Sequence, residues 1–264
     1  MKDVRWLAEY AEDGNVAFRI GRADDVLVAE WIDTLRLVAR RDGTVLEMVE
    51  APGADPRETG KIKRGSARLL LRQLQGKLAL HGAGVGFGER AVVFLGRSGH
   101  GKSTIAAALC ARRDAVLFAD DAIAIDESPN GYVITASEVD HWLDGPSRAA
   151  LGLADDGEGK LPVRCGRPAS HDARLVMFVD LAFVEGASAP SLRTLHGLEA
   201  VACLVPQVVR FVLDEPELHR RELESLMRLV DAVPVLRLER PRRLDMLDAA
   251  LDLLMNHPLL EHVS

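Results

Sequence analysis

The pattern of apolar and polar positions divides the first sixty residues into short β-type segments. Short apolar runs of the β-type follow one another, and Gly, Asp and Asn separate them. The predicted strands are VAFRIG (16–21), DVLVAEWI (25–32), LRLVAR (35–40) and TVLEMVE (44–50). APGADPRETG (51–60) has the composition of a turn. We therefore expect a strand-rich N-terminal region or subdomain at 1–60 and a second domain at 61–264.

From residue 61 onward, helical and strand patterns alternate. Leucines between 69 and 74 lie at helical spacing, and Gly76 is a stop signal. The strands predicted next are LALHGAGV (78–85), AVVFLG (91–96), AVLFADD (115–121), AIAIDE (122–127), YVITAS (132–137), ARLVMFVDLAFVEG (173–186, as one strand or two) and VPVLRLER (233–240). The predicted helices are STIAAALCARR (103–113), LHGLEAVACLVPQVVRFV (195–212), EPELHRRELESLMRLVDAV (215–233) and RRLDMLDAALDLLMNH (242–257). This order predicts an α/β fold with a mixed sheet flanked by helices.

Residues 144–172 interrupt the alternation, since they are rich in Gly, Pro and charged residues. An irregular stretch of this length is usually a functional loop or a mobile one. Its cations either stabilise a transferring phosphoryl group, grip an acidic substrate, or are only solvated. The candidates are Lys160, Arg164 and Arg167.

Composition and charge narrow the class of protein. Hydrophobic residues make up 48% of the 264 residues, which suffices for a sizeable core, and the formal net charge is −7. The acidic balance argues against a nucleic-acid partner. The basic runs at 61–68 and 237–243 are interpreted as solvated faces or helix starts, and the alternative is a binding site for an acidic peptide or a phosphate. No apolar run approaches the roughly 20 residues of a membrane helix, and acidic residues stand where a signal peptide would be apolar. We expect a cytoplasmic protein without a membrane partner.

The cysteines give no metal or disulfide signal. Cys110, Cys165 and Cys203 are widely spaced and form no C-x-x-C pair. This usage suits a reducing compartment and predicts neither disulfides nor zinc.

The run GRSGHGKS (96–103) fits the phosphate-binding pattern G-x-x-x-x-G-K-[ST]. Its glycines allow backbone N–H groups to surround anionic oxygens, and the following helix directs its positive end at them. Lys102 would reach the β- and γ-phosphates of ATP, and the Ser103 hydroxyl would ligate Mg²⁺. A predicted strand before the run and a helix after it supply the required context. The predicted nucleotide-binding residues are Gly96, Arg97, Ser98, Gly99, His100, Gly101, Lys102, Ser103 and Thr104.

Asp120 and Asp121 close the apolar run VLFA shortly after this helix. A carboxylate at the end of a strand beside a phosphate loop can hold Mg²⁺, and a second one can take a proton from a hydroxyl nucleophile. The alternative is a solvated turn. His81, on the predicted strand before the hairpin, is by itself more typical of a packed core histidine.

Together these residues resemble a known family. His81-Gly82, a glycine-containing hairpin, GRSGHGKS and then FADD (118–121) resemble the catalytic domain of HPr kinase/phosphorylase. More narrowly, the chain resembles the HPr-kinase-related proteins of modified-peptide gene clusters, including the lasso-peptide kinases. The resemblance is best over residues 78–126.

The resemblance implies a fold of the PEP-carboxykinase-like group and a serine kinase that uses ATP and Mg²⁺. His81 would assist phosphoryl transfer, Asp121 would be the base for the acceptor serine, and Asp120 would lie nearer the metal, although the two aspartates could exchange roles. The family's downstream magnesium-binding glutamate has Glu138 and Asp140 as candidates. Its phosphorolysis segment is not recognisable here. The acceptor would be a serine of a protein or peptide, and a homo-oligomer is permitted.

A competing signal occurs at VRFVLDEP (209–216), which resembles the Walker B segment of an ABC-type ATPase. The Ser-Gly-Gly-Gln signature of that class is missing. The alternative is that Asp214 caps a helix with Pro216 in its first turn. Besides a kinase, the sequence leaves open an ATPase without a phosphoryl acceptor and a nucleotide-gated binding module.

Overall fold

The computed structural model describes residues 3–12, 14–154, 157–211 and 215–260. It divides into two compact units, which are Met1–Ala79 with Val209–Glu222 and Leu80–Val208 with Leu223–Ser264. We expected one domain boundary, at residue 60. In the structure the chain passes from one unit to the other after residues 79, 208 and 222.

The first unit contains a five-stranded sheet in which each strand pairs with the next in antiparallel fashion. Its strands are β1 (Arg5–Glu12), β2 (Asn15–Ala23), β3 (Val26–Trp31), β4 (Leu35–Arg40) and β5 (Val45–Glu50). The predicted runs match β2 to β5, which confirms them. β1 was not predicted, because its sequence RWLAEYAE is mostly exposed and shows no clean alternation.

A helical segment follows, which consists of α1 (Pro56–Ile62), a π-helical stretch (Lys63–Ala67) and α2 (Arg68–Leu74). The helix predicted from the leucines between residues 69 and 74 is confirmed by α2, whereas α1 lies where the sequence suggested a turn. The turn interpretation of 51–60 is wrong in its second half, because the side chain of Asp55 accepts a hydrogen bond from the Arg57 amide at 2.8 Å and caps α1. In α2, Leu70 and Leu74 pack in the core of this unit.

The second unit is built on a seven-stranded mixed sheet and a separate two-stranded pair. Their strands are β6 (Ala79–Phe87), β7 (Arg90–Leu95), β8 (Val116–Ser128), β9 (Gly131–Ile134), β10 (Asp140–Leu143), β11 (Leu161–Arg164), β12 (Ala173–Phe183), β13 (Ser191–Leu195) and β14 (Val235–Arg240). The order in the large sheet is β13-β14-β12-β7-β6-β8-β9. In it β12 runs parallel to both of its neighbours, β7 and β14, whereas β10 and β11 form the separate antiparallel pair.

Helices complete the mixed α/β architecture. They are α3 (Lys102–Arg112), α4 (Gly145–Ala150), α5 (Gly197–Leu204), α6 (Pro216–Ala232) and α7 (Leu247–Met255). Helices α3 and α7 contribute Ile105 and Leu251 to the core that contains Phe94 and Val179 of the sheet. The predicted helix at 195–212 is shorter in the structure, and the region 144–172 contains α4 and β11 instead of a wholly irregular loop.

The parallel strands place their carboxyl ends at one edge of the second sheet. Leu95 at the end of β7 is paired with Asp180 of β12, and β12 pairs onward with β14. In open sheets of this kind, ligands bind outside the carboxyl ends of the strands. Across the described ranges, no helix is long and apolar enough to span a membrane.

Candidate functional site

The glycine-rich loop, defined as Gly96–Gly101, joins β7 to α3 at this edge. Gly96, Gly99 and Gly101 have backbone φ angles of 132°, 78° and 82°, which residues other than glycine rarely adopt. A Cβ on Gly96 would lie 2.9 Å from the Leu181 carbonyl oxygen, and one on Gly101 would lie 2.7 Å from Nη2 of Arg240. The loop conformation therefore requires glycine for both its dihedral angles and its close contacts.

Side chains from two neighbouring strands hold this loop. The Leu181 carbonyl in β12 lies 2.7 Å from His100 Nδ1, and Arg240 at the end of β14 donates to the His100 carbonyl at 2.9 Å. Phe183 packs against both, with its ring centroid 5.3 Å from the His100 ring and 4.5 Å from the Arg240 guanidinium carbon. Burial lowers the pKa of Arg240 to about 10. The interpretation of Arg240 as part of a solvated basic run is wrong, because only 4% of this residue is exposed.

Lys102 begins α3 and folds its side chain over the loop. Its Nζ donates to the carbonyls of Gly96 at 2.8 Å and Arg97 at 3.3 Å. Burial lowers the pKa of Lys102, and the charge of Lys160 lowers it further. The ammonium group of Lys102 therefore contacts neutral carbonyl oxygens of the loop. A negatively charged oxygen would attract it more strongly and could replace these contacts.

Asp120 is almost fully buried, with 3% of its surface exposed. Its Oδ1 accepts a hydrogen bond from Ser103 Oγ at 2.8 Å, and its Oδ2 accepts one from the Trp142 amide at 2.9 Å. Burial raises the pKa of this carboxyl, against the lowering effect of the two hydrogen bonds. A carboxylate is thus fixed directly beside the first turn of α3.

Asp121 follows Asp120 in the chain, and His81 lies on β6, which is the neighbour of β8 in the sheet. Asp121 is exposed and has a φ of 91°, a strained value for a residue other than glycine. Its carbonyl oxygen lies 3.3 Å from Nδ1 of the exposed His81. The expectation that the two aspartates end a strand is wrong, because β8 continues to Ser128 and the distortion occurs within it.

Thr104 was predicted among the nucleotide-binding residues, and the structure engages its hydroxyl elsewhere. Thr104 is buried, and its Oγ1 lies 2.7 Å from Ser147 Oγ in α4. Asp144 caps α4 by accepting from the Ser147 amide at 2.9 Å. The Thr104 side chain therefore joins α3 to α4.

Of the three candidate cations, Lys160 is the one that acts on Lys102. Burial lowers the pKa of Lys102, and the positive charge of Lys160 lowers it further. Arg164 lies 3.7 Å from Asp140, and Arg167 lies 2.7 Å from Asp114. The sequence offered no basis for separating these three cations.

The candidates for a second metal carboxylate lie on the segment leading into β10. The Glu138 amide donates to the Phe118 carbonyl of β8 at 3.3 Å, and Asp140 begins β10 two residues before Trp142. Asp214, the centre of the competing Walker B interpretation, lies outside the described residues. Pro216 is the first residue of α6, as the helix prediction required.

The fold brings Cys110 and Cys165 together, although they are far apart in the sequence. With His141 they form a group whose ligand atoms all lie within 4.8 Å of one another. All three cysteines are free. The sequence spacing, which predicted no zinc site, gave no sign of this group because its members are far apart in the chain.

The loop and the first turn of α3 fit a nucleotide phosphate and Mg²⁺. Gly101 precedes α3 without a side-chain cap, and the first turn contains no acidic residue, so the helix N-terminus remains open to an anion. The Ser103 hydroxyl and the Asp120 carboxylate supply oxygens of the kind that Mg²⁺ prefers.

No protein-family model and no curated protein matches the sequence. Among solved structures, the chain is similar to the HPr(Ser) kinase/phosphatase from Coxiella burnetii, with 14% sequence identity and a TM-score of 0.36. That similarity covers 69% of this chain and 96% of the other.

Proposed function

We propose that this chain is an ATP-dependent kinase that transfers the γ-phosphoryl group to a hydroxyl, specifically a serine of a protein or peptide. The observation that carries the proposal is the 2.8 Å hydrogen bond between Ser103 Oγ and Asp120 Oδ1, beneath a glycine-rich loop at the carboxyl end of β7. This contact supports the proposal, because in P-loop nucleotide-binding proteins a hydroxyl at the start of the loop's helix and a strand carboxylate share a metal ion.

The loop would bind the phosphates through its backbone and through the N-terminus of α3. Lys102 would exchange its contacts with the Gly96 and Arg97 carbonyls for contacts with the β- and γ-phosphates of ATP. Ser103 and Asp120 would hold Mg²⁺, which when bound neutralises charge on the β- and γ-phosphate oxygens. Lys160 would add a further positive charge near this position, since it already acts electrostatically on Lys102.

Asp121 is suited to the acceptor side of the reaction, because it is exposed whereas Asp120 is buried and hydrogen-bonded. In the proposed step, the serine oxygen forms a bond to the γ-phosphorus, the bond to the β-phosphate oxygen breaks, and ADP leaves. The serine proton passes to the Asp121 carboxylate. His81, in contact with the Asp121 carbonyl at 3.3 Å, would hold this strained segment and assist transfer.

The test is intact-mass analysis of candidate acceptors with ATP and Mg²⁺. The candidates are the peptides and small proteins encoded beside this gene. We expect one of them to gain the mass of HPO₃ with the wild-type chain and not with Lys102→Ala.

Two outcomes would contradict the kinase proposal. Phosphate release at the same rate with and without every acceptor would indicate an ATPase. ATP binding with neither transfer nor hydrolysis would indicate a nucleotide-gated binding module.

A further inference from the structure

A compact group of sulfur and nitrogen ligands lies within the second unit, behind the proposed magnesium carboxylate. Cys110 comes from α3, His141 from β10, and Cys165 follows β11. Their Sγ and ring nitrogen atoms all lie within 4.8 Å of one another. Residues from three separate elements therefore converge on one point.

His141 is the observation that points to a ligand. Only 3% of His141 is exposed, and within the described residues neither ring nitrogen has a hydrogen-bond partner. The nearest carboxylate oxygen, Oδ2 of Asp120, lies 4.0 Å from Nδ1, beyond hydrogen-bond distance. A buried imidazole whose ring nitrogens make no hydrogen bond is costly, and a metal ion bound together with the two cysteines would satisfy one of these nitrogens.

We propose that Cys110, His141 and Cys165 bind a Zn²⁺ ion. Soft thiolate ligands with an imidazole favour zinc over magnesium or calcium. Zn–S bonds of about 2.3 Å and Zn–N bonds of about 2.0–2.1 Å require the three ligand atoms to draw together by only about 1 Å, and a water would complete a tetrahedral site. The thiol protons pass to solvent as the thiolates bind.

The backbone favours a thiolate at this position, because the Arg167 amide donates to Cys165 Sγ at 3.4 Å. One ring nitrogen of His141 can bind the metal while the other faces Asp120, since metal-binding histidines commonly direct their second nitrogen at a carboxylate.

The zinc site would act on the proposed kinase site through the backbone. His141 precedes Trp142, whose amide donates to Asp120 Oδ2 at 2.9 Å. A zinc ion shared by His141 and Cys110 would therefore tie β10 to α3 and keep that amide in place. The existence of the zinc site does not depend on kinase activity, because it can be measured without nucleotide.

The test compares metal binding by the wild-type chain and matched cysteine variants. The full chain is incubated with Zn²⁺ or Co²⁺ under reducing conditions, desalted and analysed for metal content, and the cobalt form is examined by absorption spectroscopy. Cys203→Ser is the control, because Cys203 is a buried cysteine in α5 outside the group.

We expect one zinc per chain, and thiolate-to-cobalt absorption bands, in the wild type and in Cys203→Ser. The affinity for zinc should fall strongly in each of the variants Cys110→Ser, Cys165→Ser and His141→Ala. Loss of a residue that only orients a metal ligand lowers the affinity roughly 10- to 100-fold, and we expect a larger decrease here. Measurements on the wild type alone remain decisive if a variant does not fold.

Three results would overturn the proposal. The first is a wild-type chain that retains neither zinc nor cobalt, and the second is unchanged binding in Cys110→Ser and Cys165→Ser. The third is a chain that binds no metal and whose mass is lower by two hydrogen atoms because Cys110 and Cys165 have formed a disulfide. That result would identify the two cysteines as a redox pair.

Discussion

Ser103 Oγ and Asp120 Oδ1 lie 2.8 Å apart, and this hydrogen bond joins the first turn of α3 to the middle of β8. The second carboxylate oxygen is held by the Trp142 amide of β10. Three elements that are separate in sequence therefore fix the position of one carboxylate. The predictions below test whether this position serves phosphoryl transfer.

Lys102→Ala removes the ammonium group that contacts the loop carbonyls. We expect phosphoryl transfer to fall by at least about 10²- to 10³-fold, which is the typical cost of losing one preorganised charge-stabilising donor. Transfer is measured by acceptor mass. Lys63→Ala, which removes an exposed ion pair with Glu50, is the control and should retain activity. Full activity in Lys102→Ala would exclude the proposed role.

Asp121→Asn removes the proposed base and keeps a residue type that tolerates a positive φ. We expect transfer to fall by about 10²- to 10⁴-fold, while ATP binding, measured by calorimetry, remains largely intact. Asp33→Asn is a matched control, since Asp33 is also exposed and has a φ of 56°. An equal loss of ATP binding would argue against the role of a base.

Asp120→Asn should abolish transfer and yet stabilise the chain in the absence of Mg²⁺. Burial raises the pKa of Asp120 above its ordinary value of 3.8, so the folded state holds this proton more tightly than the unfolded state. The wild type therefore loses stability relative to the variant as pH rises from about 4 through the raised pKa.

The stability gain in Asp120→Asn is expected at neutral pH and should appear as a higher Tm than that of the wild type. It should vanish below the ordinary carboxyl pKa, where both states are protonated. Thermal melts at several pH values check this, with Asp33→Asn as the control. A variant less stable than wild type at neutral pH would show that the hydrogen bonds outweigh the burial of charge.

Gly96→Ala tests the packing of the loop against β12. The new Cβ would combine a φ of 132° with a contact of 2.9 Å to the Leu181 carbonyl oxygen. We expect a loss of about 1–3 kcal/mol from overpacking in addition to backbone strain. Gly53→Ala is the matched control, because Gly53 also has a positive φ but no atom within 4 Å of the position that the new methyl group would take. Urea denaturation should show a larger loss of unfolding free energy in Gly96→Ala than in Gly53→Ala. Equal losses would exclude a clash between the new methyl group and the Leu181 carbonyl.

Much of the fold was accessible from sequence periodicity, and the failures have identifiable causes. Apolar runs between turn residues predict the strands β2 to β5, β7 and β14, and helical spacing predicts α3. β1 was missed because RWLAEYAE contains no β-branched residue and does not alternate, and β13 because SLRTL is short. α1 was missed because Asp55 and Pro56 signal a turn and a helix start equally well.

The sequence by itself determined the glycine-rich loop, because φ requirements and the strand-loop-helix pattern are properties of neighbouring residues. Only the tertiary structure decided that Arg240 is buried against that loop, that Trp142 holds Asp120, and that Cys110 and Cys165 meet at His141. These contacts depend on strand order and register, which periodicity leaves unspecified because any strand with the same alternation could occupy the same place in a sheet.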